Sequence, residues 1–171
     1  MKLIATADQY VRMIRPEGTR QLACAIGRSG MIAAADKTEG DGASPIGAWP
    51  LRRVFYRADR LSRPDTQLDC LEITQQQGWC DAPDDPKYNQ LIARPYPASH
   101  EVLWREDHVY DLIVELGHND RPPISGLGSA IFMHIARPDY SPTEGCIALS
   151  QQDLLDILAE AVPGTILQID G

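Results

Sequence analysis

The chain has few aromatic residues and no long hydrophobic run. Aromatic side chains make up 6% of its 171 residues, and no stretch approaches the roughly 18 consecutive apolar residues that a membrane-spanning helix requires. Basic residues are also in the minority, with 16 Lys and Arg against 24 Asp and Glu and a net charge of -8. This balance argues against general binding to nucleic acids or anionic membranes, so we expect small molecules or peptides as partners.

No secretion signal is evident at the amino terminus. The chain starts Met-Lys-Leu-Ile, but Asp8, Gln9 and Arg12 interrupt the apolar stretch that a signal peptide needs. The chain also has four cysteines, which we interpret as reduced thiols: Cys24, Cys70, Cys80 and Cys146. Together these features predict a cytoplasmic protein, or a periplasmic one if a leader peptide has been removed.

Length, composition and closely spaced turn residues predict one mainly β domain over residues 1–171. Strands are predicted at 10–15, 21–27, 30–35, 51–57, 110–117 and 165–169. Ser150 followed by Asp153 is typical of a helix start, and Leu154, Leu158 and Ala161 would share the apolar face of that helix. Loops are predicted at 37–47 and, because of its proline content, at 78–100.

The most informative pattern in the chain joins a histidine to a cysteine. Residues 129–134 form an apolar run that ends in His134, and Cys146 follows a Pro-rich loop, directly after Gly145 and before a second apolar run. Two strands arranged in this way can present an imidazole to a thiol. Because the thiolate is the attacking species and few free thiols are ionised near neutral pH, such a cysteine needs a neighbouring base. The pattern predicts thiol acyl chemistry.

The same residues allow two other interpretations. For an arbitrary pair, Cys146 would be a small buried hydrophobic residue and His134 a hydrogen-bonded structural histidine. A zinc site with His118, His134 and Cys146 as ligands is a second alternative, and His100 or His108 would then be the fourth ligand. Compact motifs such as Cys-x-x-Cys and His-Glu-x-x-His are absent, so we expect no metal or other cofactor.

Several further blocks of sequence carry a resemblance to a known family. In chain order they are Ser44-Pro-Ile-Gly47, Gly78-Trp79, Asp85-Pro86-Lys87-Tyr88-Asn89, Tyr110-Asp111-Leu-Ile-Val114, His118-Asn119, Gly128 through His134, and Thr143 through Leu149. With these blocks the chain resembles the L,D-transpeptidase (YkuD-type) catalytic domain of bacterial cell-wall enzymes. The resemblance implies a β-sandwich or barrel of mixed sheets with one or two short helices.

The resemblance also implies roles for individual residues. Cys146 is the expected nucleophile and His134 the base, with amides near Gly145 and Cys146 holding the oxyanion. A main-chain carbonyl near Ser129 or Ala130 would orient the imidazole. Candidate substrate contacts in the cleft walls are Trp79, Tyr88, Asn89, His118, Asn119, Ser129 and Thr143. From the residues alone, Trp79 and Tyr88 could equally anchor their loop to the core.

Two positions depart from the family pattern. Ala148 stands where the family commonly has arginine, two residues after the cysteine, and Ile135 stands where many members have glycine after the histidine. The missing guanidinium removes a natural partner for a substrate carboxylate. Another arginine is expected to take over that role, and the candidates are Arg94, Arg121 and Arg137.

The substrate class follows from the resemblance. It implies peptidoglycan tetrapeptide stems or muropeptides, with attack on the L,D bond between the third residue, a diamino acid, and the terminal D-Ala. Because no export signal is evident and Ala148 replaces arginine, we favour hydrolysis by an L,D-carboxypeptidase that trims recycled muropeptides. The alternatives are an L,D-transpeptidase, which crosslinks stems or exchanges D-amino acids, and a muropeptide-binding module without catalysis. Acylation of Cys146 by carbapenems is a further expectation from the family.

Overall fold

A closed ring of eight strands forms the body of the molecule. The computed structural model describes residues 1–171, with one α-helix, α1 (Gln151–Glu160), and one 3-10 turn (Ala34–Asp36). The strands are β1 (Lys2–Thr6), β2 (Tyr10–Arg15), β3 (Gly18–Ala25), β4 (Met31–Ala33), β5 (Ser44–Tyr56), β6 (Asp69–Glu72), β7 (Gln77–Cys80), β8 (Leu91–Ala93), β9 (His100–Val102), β10 (Leu112–Leu116), β11 (Phe132–Ile135), β12 (Ile147–Leu149) and β13 (Ile166–Asp170). Neighbours in the ring follow the order β10-β11-β12-β3-β2-β1-β13-β5, and β5 pairs with β10 to close it.

The length of β5 explains why the ring can close. Its 13 residues pair first with β13, where Gly47 lies opposite Ile169, and then with β10, where Tyr56 lies opposite Leu112. One strand therefore joins the two halves of the sheet. Closure leaves the ring strands without free edges, which satisfies their backbone hydrogen bonds.

The barrel interior holds the larger of two apolar cores, with 25 buried residues. Alternation along β11 and β12 points Met133, Ile135, Ile147 and Leu149 into it. Helix α1 packs against the same core, and the Ser150 hydroxyl accepts a hydrogen bond from the Asp153 N–H at 3.1 Å. The predicted helix start and its structural apolar face are confirmed.

A three-stranded antiparallel sheet of order β8-β7-β9 lies outside the barrel. Trp79 of this sheet packs edge-on against Phe132 and Phe55 of the barrel, with ring centroids 5.0 and 6.2 Å apart. These residues belong to a second buried cluster that also contains Cys146. The space between the barrel wall and the small sheet is therefore where the thiol lies.

The mainly β fold of mixed sheets is confirmed, and the strand at 110–117 pairs with the His134 strand as predicted. Three details are corrected. Strand β5 begins at Ser44, so the loop predicted at 37–47 ends earlier. The predicted strand 30–35 is split into β4 and the 3-10 turn. Residues 78–100 are not one irregular loop, because short strands of the small sheet run through them.

Candidate active site

Two parallel strands place the histidine and the cysteine on one face of the barrel wall. In the register of β11 and β12, His134 lies opposite Ala148. Cys146 precedes Ala148 by two residues and so points to the same face, away from the barrel core. Both His134 and Cys146 line a cavity of about 470 Å³ between the barrel and the small sheet. We call it the thiol cavity.

The Cys146 thiol is held by the backbone of the loop before β11. Its Sγ donates to the Ala130 carbonyl at 3.2 Å and accepts the Phe132 N–H at 3.4 Å. Burial raises the pKa of Cys146 to about 12, because a charged thiolate is poorly solvated there. The resting group is therefore the neutral thiol, hydrogen-bonded to Ala130 and not to His134.

The His134 imidazole is also neutral. Its Nδ1 donates to the Ile135 carbonyl at 3.0 Å, which leaves the lone pair on Nε2 as the basic site. Burial lowers the pKa of His134 to about 4, and the ring lies edge-on to Tyr110 at 5.4 Å between centroids. The expected carbonyl near Ser129 or Ala130 is corrected: Ile135 orients the imidazole, and the Ala130 carbonyl accepts from the thiol.

The turn before Cys146 requires a glycine. Gly145 has φ of +132°, and a Cβ there would lie 2.8 Å from the Ala43 carbonyl oxygen. The Gly145 N–H donates to the Thr143 hydroxyl at 3.1 Å, and that hydroxyl donates to the Cys146 carbonyl at 2.7 Å. The Cys146 N–H has no acceptor within the protein. Of the two expected oxyanion donors, only the Cys146 amide is thus free.

Asn89 does not line the thiol cavity; its buried side chain forms hydrogen bonds to four other residues. Its Oδ1 accepts the Trp79 Nε1–H at 2.9 Å and the Ala130 N–H at 3.0 Å. Its Nδ2 donates to the carbonyls of His118 and Asn119 at 3.1 and 2.7 Å. The side chain therefore fixes Ala130, which has φ of +53° and whose carbonyl accepts the hydrogen bond from the Cys146 thiol. Asn89 thus positions the residue that holds the nucleophile.

Four other expected substrate contacts lie outside the thiol cavity. Trp79 is only 2% exposed in the second buried cluster. Tyr88 is buried and donates its hydroxyl to Glu39. His118 Nε2 donates to the Leu127 carbonyl at 2.9 Å. Asn119 braces the loop 119–128 through bonds to the backbone of Ile124 and Gly128. All four side chains thus contact other parts of the protein, and their roles as substrate contacts stay predictions.

Ser129 and Thr143 do line the thiol cavity. The Ser129 hydroxyl is buried and has no hydrogen-bond partner within the protein. Because an unpaired buried hydroxyl is costly, it is a group that a bound substrate can satisfy. Ser129 therefore remains a candidate substrate contact, whereas the Thr143 hydroxyl is already used in the turn.

Six charged side chains line the thiol cavity, and half of them are neutralised by partners. The paired groups are Lys37 with Asp41, Arg105 with Asp107, and Glu144 with Arg28. Glu39 and Glu101 form no ion pair, and the exposed Arg137 guanidinium has neither an ion pair nor a hydrogen bond. Sequence reasoning missed Glu39 and Glu101, because only the fold reveals which charges lack a partner.

A second cavity of about 810 Å³, the arginine cavity, contains no thiol and no imidazole. It is lined by Arg52, Arg53 and Arg121. Arg52 and Arg121 pair with Asp120 at 2.8 and 3.6 Å, and Arg53 pairs with Glu115 at 2.6 Å. Every guanidinium in this cavity therefore already has a carboxylate.

The three arginines proposed to replace the one missing at Ala148 are now distinguished by position. Arg94 donates to His100 Nε2 at 3.2 Å and to a backbone carbonyl, and Arg121 lies in the arginine cavity. Arg137 is the only one of the three at the thiol cavity. It is the guanidinium available there for a substrate carboxylate.

The zinc arrangement considered from the sequence is not formed. No three His, Cys, Asp or Glu side chains are grouped so that they could hold a metal ion. The four cysteines form no disulfide. The single α-helix is too short to cross a membrane.

Comparison with known proteins gives a family and two similar structures. The YkuD family model, the L,D-transpeptidase catalytic domain, matches residues 3–169. The crystal structure of L,D-transpeptidase 1 from Mycobacterium tuberculosis shares 13% identity at a TM-score of 0.46, and the match covers 99% of this chain and 61% of that chain. The crystal structure of the helical cell shape determining protein Pgp2 from Campylobacter jejuni also shares 13% identity at a TM-score of 0.46. That match covers 98% of this chain and 46% of the Pgp2 chain. The chain thus spans less than two thirds of either protein. No curated protein matches at a significant level.

Proposed function

Since the chain belongs to the YkuD-type L,D-transpeptidase catalytic-domain family, we propose that it is a cysteine acyl-enzyme that removes the terminal D-Ala from peptidoglycan tetrapeptide stems. The observation that carries this proposal is the placement of Cys146 and His134 on one face of two adjacent strands, at one cavity. A nucleophile and a base that share a cavity are the minimal requirement for acyl transfer through a thioester.

Acylation begins from a neutral pair. His134 Nε2 takes the thiol proton, for which the S–H must turn away from the Ala130 carbonyl. The thiolate sulfur attacks the carbonyl carbon of the third stem residue, and the oxygen that becomes negative is held by the free Cys146 N–H. The imidazolium then returns the proton to the departing amine of D-Ala, and the peptidyl thioester remains on Cys146.

Deacylation uses the same base. A water molecule gives a proton to His134 Nε2 and attacks the thioester carbonyl, so that the C–S bond breaks and the Cys146 sulfur recovers the proton. Throughout, the Ile135 carbonyl keeps Nδ1 protonated and stabilises the imidazolium that forms. A tripeptide stem and free D-Ala are the products.

The absence of an arginine at Ala148 supports hydrolysis as the fate of the thioester, and Arg137 supports stems with a free terminal carboxylate as the substrates. Ala148 is 1% exposed opposite His134, so the guanidinium common at this position in the family is missing beside the base. Arg137 lies at the rim of the thiol cavity without a carboxylate partner, where it can bind the carboxylate of the leaving D-Ala. Transpeptidation to a second stem or to a D-amino acid is the competing fate of the same thioester.

Product analysis separates these fates. The purified protein and its Cys146→Ala variant are incubated with a disaccharide tetrapeptide, with and without a D-amino acid, and the products are weighed by mass spectrometry. The proposal expects tripeptide and D-Ala, unchanged by the added amine and absent in the variant. Dimers or exchanged stems would show a transpeptidase. Binding without any Cys146-dependent product would show a binding module.

Two expectations from the sequence stay predictions. One is the cytoplasmic location, with the periplasm as the alternative if a leader is removed. The other is carbapenem acylation of Cys146, for which the test is the mass of the protein after incubation with the drug.

A further inference from the structure

Two carboxylates of the thiol cavity are left over after every other charge has a partner or a role. Glu39 and Glu101 both line the cavity and are only partly exposed. Neither forms an ion pair. Burial raises the pKa of Glu101, and the charges of Asp81 and Glu39 raise it further, whereas the Tyr110 hydrogen bond and the charge of Arg105 lower it. The two side chains therefore place two acidic groups in the cavity that holds the nucleophile.

Each carboxylate is held in place by a tyrosine. The Tyr88 hydroxyl donates to Glu39 Oε2, and the Tyr110 hydroxyl donates to Glu101 Oε2 at 2.6 Å. The second oxygen, Oε1, has no donor in either case. Burial raises the pKa of both tyrosines, so they stay neutral hydroxyl donors that fix the geometry without cancelling the charge.

Two partly buried carboxylates without ion-pair partners are unfavourable in free energy when no ligand is bound. A partly buried carboxylate with one neutral donor has lost much of its hydration and has no ion-pair partner. A ligand that brings a cation into the cavity stabilises both carboxylates. An ammonium group suits the site, because it brings a positive charge and three N–H donors to a cavity that offers two free carboxylate oxygens.

We propose that Glu39 and Glu101 bind the free side-chain ammonium of the third stem residue. The proposal rests on the proposed function, because the acyl carbon on Cys146 and this side chain belong to the same residue. The side chain of an acylated residue extends into the thiol cavity, where both carboxylates lie. Arg137 at the rim then binds the terminal carboxylate of the stem, and the two glutamates bind the side-chain ammonium of its third residue.

The consequence is selection among stems. When the side-chain amine of the third residue has formed an amide, as in a crosslinked stem, it has lost its positive charge and all but one of its N–H donors. The carboxylates then remain unpaired in the complex. The enzyme therefore acts on uncrosslinked stems, either before an amide-forming reaction has used the amine or after a hydrolase has released it.

Binding to the Cys146→Ala variant tests this selection without turnover. Isothermal titration compares a tetrapeptide that has a free side-chain amine with the same peptide acetylated at that amine. We expect about tenfold or greater loss of affinity on acetylation, from the loss of a charge-assisted contact. Glu39→Gln and Glu101→Gln, combined in the same background, keep the tyrosine bonds and are expected to reduce the ratio of the two affinities to near one.

Glu144→Gln is the matched control, because Glu144 lines the same cavity but pairs with Arg28. It is expected to retain the wild-type preference for the free amine. Equal affinity for the two peptides, no binding of either, or a preference that survives in the double glutamine variant would overturn the proposal. If the preference is present but the unmutated enzyme releases no D-Ala, the proposed function fails while the ammonium site stands. The ratio of kcat/KM for the two peptides in the unmutated enzyme is the second readout.

Discussion

The two cavities of this molecule differ in how their charges are used. The arginine cavity is larger, about 810 Å³, but each of its three guanidinium groups forms an ion pair with one of two carboxylates, Asp120 and Glu115, of the same cavity wall. The thiol cavity is smaller, about 470 Å³, and leaves two carboxylates and one guanidinium without ion pairs beside a thiol and an imidazole. Groups without partners therefore mark the site better than volume does, because charges that are already paired interact less strongly with a ligand.

The largest effect on activity is expected from replacing His134, the proposed general base in the thiol cavity. His134→Gln removes the proton acceptor and should lower kcat by about 10²–10⁴-fold, the usual contribution of a general base. Arg53→Gln in the arginine cavity should leave kcat unchanged. Steady-state rates of D-Ala release provide the measurement. A full loss of activity in the arginine-cavity variant would reverse the assignment of the two cavities.

The buried imidazole should also make stability depend on pH. The pKa of His134 falls from 6.5 in the unfolded chain to about 4 in the fold, so below pH 6.5 the unfolded chain binds a proton that the folded protein does not. Stability is therefore lost as pH falls from about 6.5 to 4, by about 3 kcal/mol in all for this one group. Urea unfolding across this pH range should show a weaker loss in His134→Gln. Identical slopes in the two proteins would contradict the burial of a neutral imidazole.

Asn89 lies between the two cavities and lines only the larger one. Asn89→Ala leaves the N–H groups of Trp79 and Ala130 without their acceptor, which should lower the free energy of unfolding by about 2 kcal/mol or more. We also expect a lower kcat, because Ala130 holds the thiol. Gln90→Ala, the next residue, is the control for both measurements. Unchanged stability and rate in Asn89→Ala would remove its positioning role.

Two exposed arginines give the smallest and most direct contrast. Arg137→Gln at the thiol cavity should raise KM about tenfold for a tetrapeptide with a free carboxylate, the effect of one charge-assisted contact. It should have little effect on the same peptide amidated at its terminus. Arg121→Gln at the arginine cavity should change neither value. Equal effects on both peptides would show that Arg137 does not bind the carboxylate.

The sequence predicts local features best. Alternating apolar residues before His134 and after Cys146 indicate their strands, and Ser150 with Asp153 indicates the start of α1. These signals depend on residues close together in the chain. The three short strands between 78 and 100 escape prediction, because their prolines argue for a loop and only pairing across the small sheet stabilises them.

The site is predicted only in its reactive pair. The sequence segments that carry the family resemblance include Trp79, Tyr88 and Asn89. Whether these side chains contact a substrate or pack within the protein depends on the direction in which they point, which the sequence does not show. The orientation of His134 by its own neighbour, Ile135, is a backbone bond with no side-chain signature. The free charges of Glu39 and Glu101 are defined by partners that they lack, which no spacing in the sequence can show.

The most direct test of the claim that Cys146 forms an acyl-enzyme is to measure the mass of the intact protein during turnover by mass spectrometry. Acid quenching within the first seconds after tetrapeptide is added should trap a protein heavier by one acylated stem without its D-Ala, and peptide mapping should place the added mass on Cys146. The same experiment with Cys146→Ala should show no adduct. An adduct on another residue, or D-Ala release that persists in Cys146→Ala, would contradict the assignment of the thiol cavity as the catalytic site.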